Sequence, residues 1–144
     1  MRKGKFFKAV VLFVIICFSS YTPYGFSQDL PDGAEVVSGG VTIVTLPNGM
    51  KITIDTDKAI INWRGFSIGI DKFVQFLQLS SSSIALNRVT GGEISRILGT
   101  LTANGRIFLI NPNGILFGAN SKVDVAGLIA STLNINNDDF LAGR

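Results

Sequence analysis

The sequence has no histidine and one cysteine, Cys17, in 144 residues. A disulfide within the chain is therefore excluded. Beyond residue 17 there is no thiolate or imidazole to hold a metal, no cysteine nucleophile, and no triad that uses histidine as its base. No glycine-rich phosphate loop or other nucleotide motif occurs, so no cofactor is expected. Carboxylates lie close together in sequence only at Asp55 with Asp57 and at Asp138 with Asp139. Paired acids cleave glycosides only at set separations and with one pKa raised. Asp55 and Asp57 fall on one wet face of an alternating segment, where nothing makes their surroundings differ. No catalysis is expected. Long apolar runs are missing as well: the longest, Ala9–Phe18, has ten residues, whereas a membrane-spanning helix needs about 20.

That short run has a recognisable setting. Arg2, Lys3, Lys5 and Lys8 surround its start, Ser19, Ser20 and Pro23 break its end, and Gly25 and Ser27 precede Gln28. Basic, apolar and small-residue regions in that order read as a cleavable secretory signal over 1–27, with the working domain over 28–144. A retained anchor is too short, and Ile16 stands before Cys17 where lipoprotein processing wants a small residue. Removing the leader takes four of the 13 basic residues and none of the ten acidic ones. The sequence pI of about 9.2 thus belongs to the leader. The domain has no basic excess with which to bind nucleic acid.

Within 28–144 the pattern is strand after strand. Val41–Leu46 is rich in β-branched residues, Pro47-Asn48-Gly49 is a turn signal, and Met50–Thr56 alternates with Met50, Ile52 and Ile54 on one face. This predicts a hairpin with one wet face. Ile84 and Leu86 share a face of the segment 84–89. Ile94, Ile97 and Leu98 sit at helical spacing, so a short helix is expected over 93–98. From Leu101 onward Asn104-Gly105, Asn113-Gly114, Gly118 and Gly127 punctuate strands of about five residues. Residues 103–111 and 112–120 match at four of nine positions, which suggests a coil repeat. Strands this short, linked by Gly and Asn, suit the stacked coils of a solenoid better than a barrel or sandwich.

Four blocks occur in order: Asn62–Gly69 (NWRGFSIG), Ser82–Gly92 (SSIALNRVTGG), Leu101–Gly118 (LTANGRIFLINPNGILFG) and Val123–Thr132 (VDVAGLIAST). Together they resemble the filamentous-haemagglutinin N-terminal domain, also called the two-partner secretion or haemagglutination activity domain. The resemblance implies an all-β, right-handed, single-stranded parallel β-helix of the pectin-lyase kind, with an N-terminal cap and extra-helical β elements, here a hairpin. It implies a module that leads a Gram-negative surface exoprotein or adhesin, is recognised in the periplasm by a dedicated outer-membrane pore, and is secreted or displayed at the cell surface. Family domains run on past the position of Arg144, so the domain is expected to be incomplete at its C-terminus, with any host-cell or glycan receptor site in the missing body. The NPNL motif of some members is absent.

The resemblance assigns secretion and partner recognition to Asn111, Pro112, Asn113, Gly114 and Ile115. The same residues are also a good turn, with proline second and glycine last, and both roles remain open. Asn87 and Arg88 are candidate partner contacts or, alternatively, a turn with a solvated charge. Trp63 is expected in a cap or core. Two rival functions remain at this stage: a β-helical polysaccharide-active enzyme, and an adhesive β-solenoid without a secretion role.

Overall fold

The protein, represented by a computed structural model, is described over residues 29–143, and the expected signal over 1–27 lies outside that range. The first strands are β1 (Glu35–Ser38), β2 (Val41–Leu46), β3 (Gly49–Ile54), β4 (Lys58–Trp63), β5 (Phe73–Leu77) and β6 (Ile84–Val89). They are followed by β7 (Ser95–Ile97), β8 (Thr100–Ala103), β9 (Arg106–Ile110), β10 (Ile115–Phe117), β11 (Lys122–Asp124) and β12 (Gly127–Ser131), then a short helix α1 (Asn137–Ala142). The strands form three faces in the orders β2-β3-β5-β8-β11, β1-β4-β6-β9-β12 and β7-β10. Every pairing from β3 and β4 onward is parallel. The chain therefore winds as a parallel β-helix of about four turns. Coil 1 holds β3, β4 and the segment 66–68; coil 2 holds β5, β6 and β7; coil 3 holds β8, β9 and β10; coil 4 holds β11 and β12.

Parallel strands stacked in register put the same face of each strand inward. The resulting columns run Ala59–Ala85–Ile107–Leu128 on one face and Met50–Val74–Leu101–Val123 on another. Their members in coils 1 to 3 are at most 4% exposed, and Trp63 and Phe66 meet edge to face beside them, centroids 5.6 Å apart. Each large apolar side chain buried this way contributes about 1.5–3 kcal/mol. In coil 4, the last coil among the described residues, Val123 and Leu128 are 38% and 37% exposed. At the opposite end β1 and β2 run antiparallel to β4 and β3 and form the cap.

The expected hairpin is β2–β3, in unbroken register from Val41↔Ile54 to Leu46↔Gly49. β2 lies outside the parallel stack and β3 within it. Met50, Ile52 and Ile54 face inward as their alternation predicts. The reason for glycine in the turn is different from the expected one. Neither Asn48 nor Gly49 has positive φ. Instead, a Cβ on Gly49 would lie 2.2 Å from Phe73 Cε1 in coil 2. Gly49→Ala is expected to cost about 2 kcal/mol through overpacking, read as a lower urea midpoint, and Phe73→Leu in the same chain should restore more than half of it. Wild-type stability of Gly49→Ala would contradict this account.

Two expectations are corrected. Residues 95–97 form the strand β7, not a helix: Ser95 and Ile97 pair with Ile115 and Phe117, and Ile97 also bridges Ile68. Inter-coil pairing outweighs a helical spacing too short to propagate. The nine-residue match is not a coil repeat. Ser95 pairs with Ile115 and Ile68 with Ile97, so a coil takes 20 to 29 residues. Asn104-Gly105 and Asn113-Gly114 are successive corners of the same coil, one before β9 and one after it.

Candidate functional site

The segment from Asn111 to Gly114 makes the corner between β9 and β10. Gly114 N–H donates to Asn111 O at 3.1 Å and closes a four-residue turn. Asn113 is not in the left-handed region, whereas Gly114 has φ +121°. That is the chemistry of a type I turn, with Asn first, Pro second and Gly last. A Cβ on Gly114 would meet only Ile94 Cγ2, at 3.6 Å, so glycine is needed here for conformation rather than space.

Asn111 is completely buried. Its Nδ2 donates to Glu93 O (2.9 Å) and Ser95 Oγ (3.0 Å). Its Oδ1 accepts from Asn113 N (3.0 Å) and Asn113 Nδ2 (3.1 Å). Both donors and both lone pairs of the carboxamide are engaged. Asn113 Nδ2 also donates to Gly91 O at 2.8 Å. The corner's backbone reaches in both directions: Ser95 N–H donates to Gly114 O, and Asn111 N–H donates to Ser131 O, each at 3.0 Å. One corner therefore joins coils 2, 3 and 4. Pro112 and Asn113 are exposed at its tip, and Ile115 turns inward onto the core. The preceding Asn-Gly corner is tied to coil 2 by an exposed asparagine: Asn104 Oδ1 accepts from Gln78 N and its Nδ2 donates to Gln78 O, both at 2.7 Å.

Asn87 and Arg88 point to opposite sides of β6. Asn87 faces the core, 0% exposed, and accepts from Trp63 Nε1 at 2.9 Å. Trp63 is buried, as expected. Arg88 faces outward; its Nε donates to Asn134 Oδ1 at 2.8 Å and its Nη2 to Ile135 O at 2.7 Å. Burial pushes the Arg88 guanidinium below its ordinary pKa, and it stays a cation. Arg88 pairs with Ile110, next to Asn111, so the two sequence candidates lie on adjoining coils. The acidic pairs have local roles: Asp57 Oδ1 accepts from Ser83 Oγ at 3.1 Å, and Asp138 and Asp139 occupy the first turn of α1. Among the described residues no three His, Cys, Asp or Glu side chains gather. The sequence reading missed the pairing of Asn87 with Trp63 and the role of residues 134–142, because neither has a local signal.

Residues 27–144 match the TPS secretion domain along its course. The chain belongs to the TPS secretion domain family. This secretion domain is 42% identical over 123 residues to a heme/hemopexin-binding protein of Haemophilus influenzae, covering 84% of this chain. A second protein of that name and species is 40% identical over 127 residues, covering 88% of this chain. The chain spans 14% of the length of either relative. Among solved structures, the HMW1 secretion domain from Haemophilus influenzae superposes with a TM-score of 0.75 at 42% identity, covering 78% of this chain and 30% of that one. As a TPS secretion domain the chain is a targeting module for two-partner secretion, and the partner of such a domain is an outer-membrane transporter.

Proposed function

We propose that residues 28–144, after removal of the signal 1–27, are the part of a surface exoprotein that its outer-membrane pore reads in the periplasm, within the filamentous-haemagglutinin branch of the family. In this reading the module is not an enzyme, and host-cell or glycan binding belongs to other parts of the exoprotein. Asn111, Pro112, Asn113, Gly114 and Ile115 form the secretion motif, and Asn87 and Arg88 are secondary contacts. The observation that carries this is the family match over the whole described chain, with the motif at a joint of three coils.

The burial of Asn111 supports a specific order of events. Its side chain is inaccessible once the corner closes, so a pore that reads it meets the chain before the coils stack. An unfolded, strand-prone segment can add to an exposed sheet edge of the pore's periplasmic domains through backbone hydrogen bonds. Stacking outside the cell would then oppose backsliding. Asn87 is accessible only at that same early stage, whereas Pro112 and Asn113 remain open in the folded domain.

The test is the secreted fraction of the full exoprotein. Replacing Asn111 and Asn113 together by alanine should lower it at least about tenfold, and Asn48→Ala in the hairpin turn should leave it unchanged. Wild-type secretion of the double variant would remove the motif assignment.

A further inference from the structure

The outward face of a β-solenoid usually meets water, but one outward column of this protein is apolar. Ile60, Leu86 and Phe108 stack in register on β4, β6 and β9, and Ile110 lies beside them. Ile60, Leu86 and Ile110 are buried with Phe140 of α1, and Phe108, Ile84 and Ile135 pack against them. Phe140 is 3% exposed and meets the Phe108 ring edge to face, centroids 5.7 Å apart. The segment that delivers Phe140 is tied at two other points. Arg88 of coil 2 holds Asn134 and Ile135. Lys58 of coil 1 donates from Nζ to Phe140 O at 3.2 Å and Leu141 O at 2.9 Å. The last turn of α1 has no basic residue of its own, so Lys58 supplies the cation that a helix C-terminus favours. Asn136 caps the other end, accepting from Asp138 N at 2.8 Å.

We propose that residues 134–142 are a latch: a tie between coils that are not neighbours, which closes only after coils 1 to 3 have stacked and holds them together. In a solenoid each coil contacts only the next, so the stack can open from either end. The latch breaks that rule by fastening coils 1, 2 and 3 from a point beyond coil 4. Its seat does not exist until β4, β6 and β9 are aligned, and it spans more than 80 residues of chain between Lys58 and Leu141. The latch is thereby placed among the contacts that form after the folding transition state, and such contacts slow unfolding and leave folding unchanged. The proposal is independent of how the pore recognises the chain.

The experiment is a folding and unfolding series on the full chain in urea, followed by the fluorescence of Trp63, its only tryptophan. Phe140→Ala should speed unfolding at least about 30-fold and change the folding rate less than about twofold. Lys58→Met, which keeps the apolar stem, should speed unfolding about threefold to tenfold, again with folding unchanged. Leu133→Ala, at a 78% exposed position before the latch, should change neither rate. Hydrogen exchange of the β4 and β6 amides should accelerate in Phe140→Ala. The proposal is overturned if Phe140→Ala slows folding by as much as it destabilises the protein, or if it leaves unfolding unchanged. Failure of both Phe140→Ala and Lys58→Met to fold would also overturn it, since a tie that closes after coils 1 to 3 have stacked is not required for them to stack.

Discussion

Asn111→Ala is expected to destabilise the folded domain by about 3 kcal/mol, whereas Asn113→Ala should cost less than about 1 kcal/mol. The two residues share one turn and one side-chain type, so the difference tests what burial does. Removing the Asn111 carboxamide takes away four hydrogen bonds at once. Ser95 Oγ then loses a partner in a place water does not reach, because Ser95 is itself completely buried. Asn113 is exposed, so water can replace its bond to Gly91 O, and in Asn113→Ala the buried Asn111 Oδ1 keeps its bond from Asn113 N. The loss at Asn111 should appear as a lower urea midpoint at unchanged denaturant slope, because the surface exposed on unfolding stays the same. Equal losses at the two positions would show that the corner is held by its backbone and not by the buried amide. The comparison also bears on secretion. If the pore reads Pro112 and Asn113 on the folded tip, Asn113→Ala should impair secretion while leaving stability nearly intact.

Asn87→Leu is expected to cost about 2–4 kcal/mol, and adding Trp63→Phe should recover at least half of that loss. The single change leaves Trp63 Nε1 without an acceptor in the core, and an unsatisfied buried donor bears the full desolvation penalty. The double change replaces both partners of this bond by apolar groups, so neither end of it is left unpaired. The side chains sit 24 residues apart on adjacent coils, so the recovery measures an inter-coil coupling directly. Urea unfolding followed by far-UV circular dichroism would read both variants, since the second lacks the tryptophan. If the double variant is no more stable than Asn87→Leu, the hydrogen bond is not the source of the loss, and the weaker approaches of Asn87 Nδ2 to Ala85 O and Phe108 O, both 3.4 Å, would carry more weight.

Features written in a few adjacent residues were legible in advance. The β2–β3 hairpin rests on β-branched residues in β2, strict alternation in β3 and a proline turn between them, and these signals act over less than ten residues each. The corner at Asn111–Gly114 is likewise local turn chemistry, and the four sequence blocks pointed to a two-partner secretion domain, which the match of residues 27–144 to the TPS secretion domain shows. Features that depend on what a coil meets were not legible. Ile84 and Leu86 share a face, as their spacing indicates, but that face is the outer one under α1; the inward side of β6 is Ala85, Asn87 and Val89. An asparagine in the core column has no signal in its own segment, because its partner Trp63 comes from the previous coil.

The sequence by itself determined that the domain is all-β, that it lacks cysteine and histidine chemistry, and where its tight corners fall. Those are consequences of composition, two-residue alternation and backbone preference, which act without reference to distant parts of the chain. Only the tertiary structure decided the length of a coil, the conversion of 95–97 from a helical spacing into β7, the burial of Asn111 and Asn87, and the closure of residues 134–142 over coils 1 to 3. Each of these is set by backbone and side-chain groups from neighbouring coils satisfying one another, and that pairing exists only once the strands are stacked.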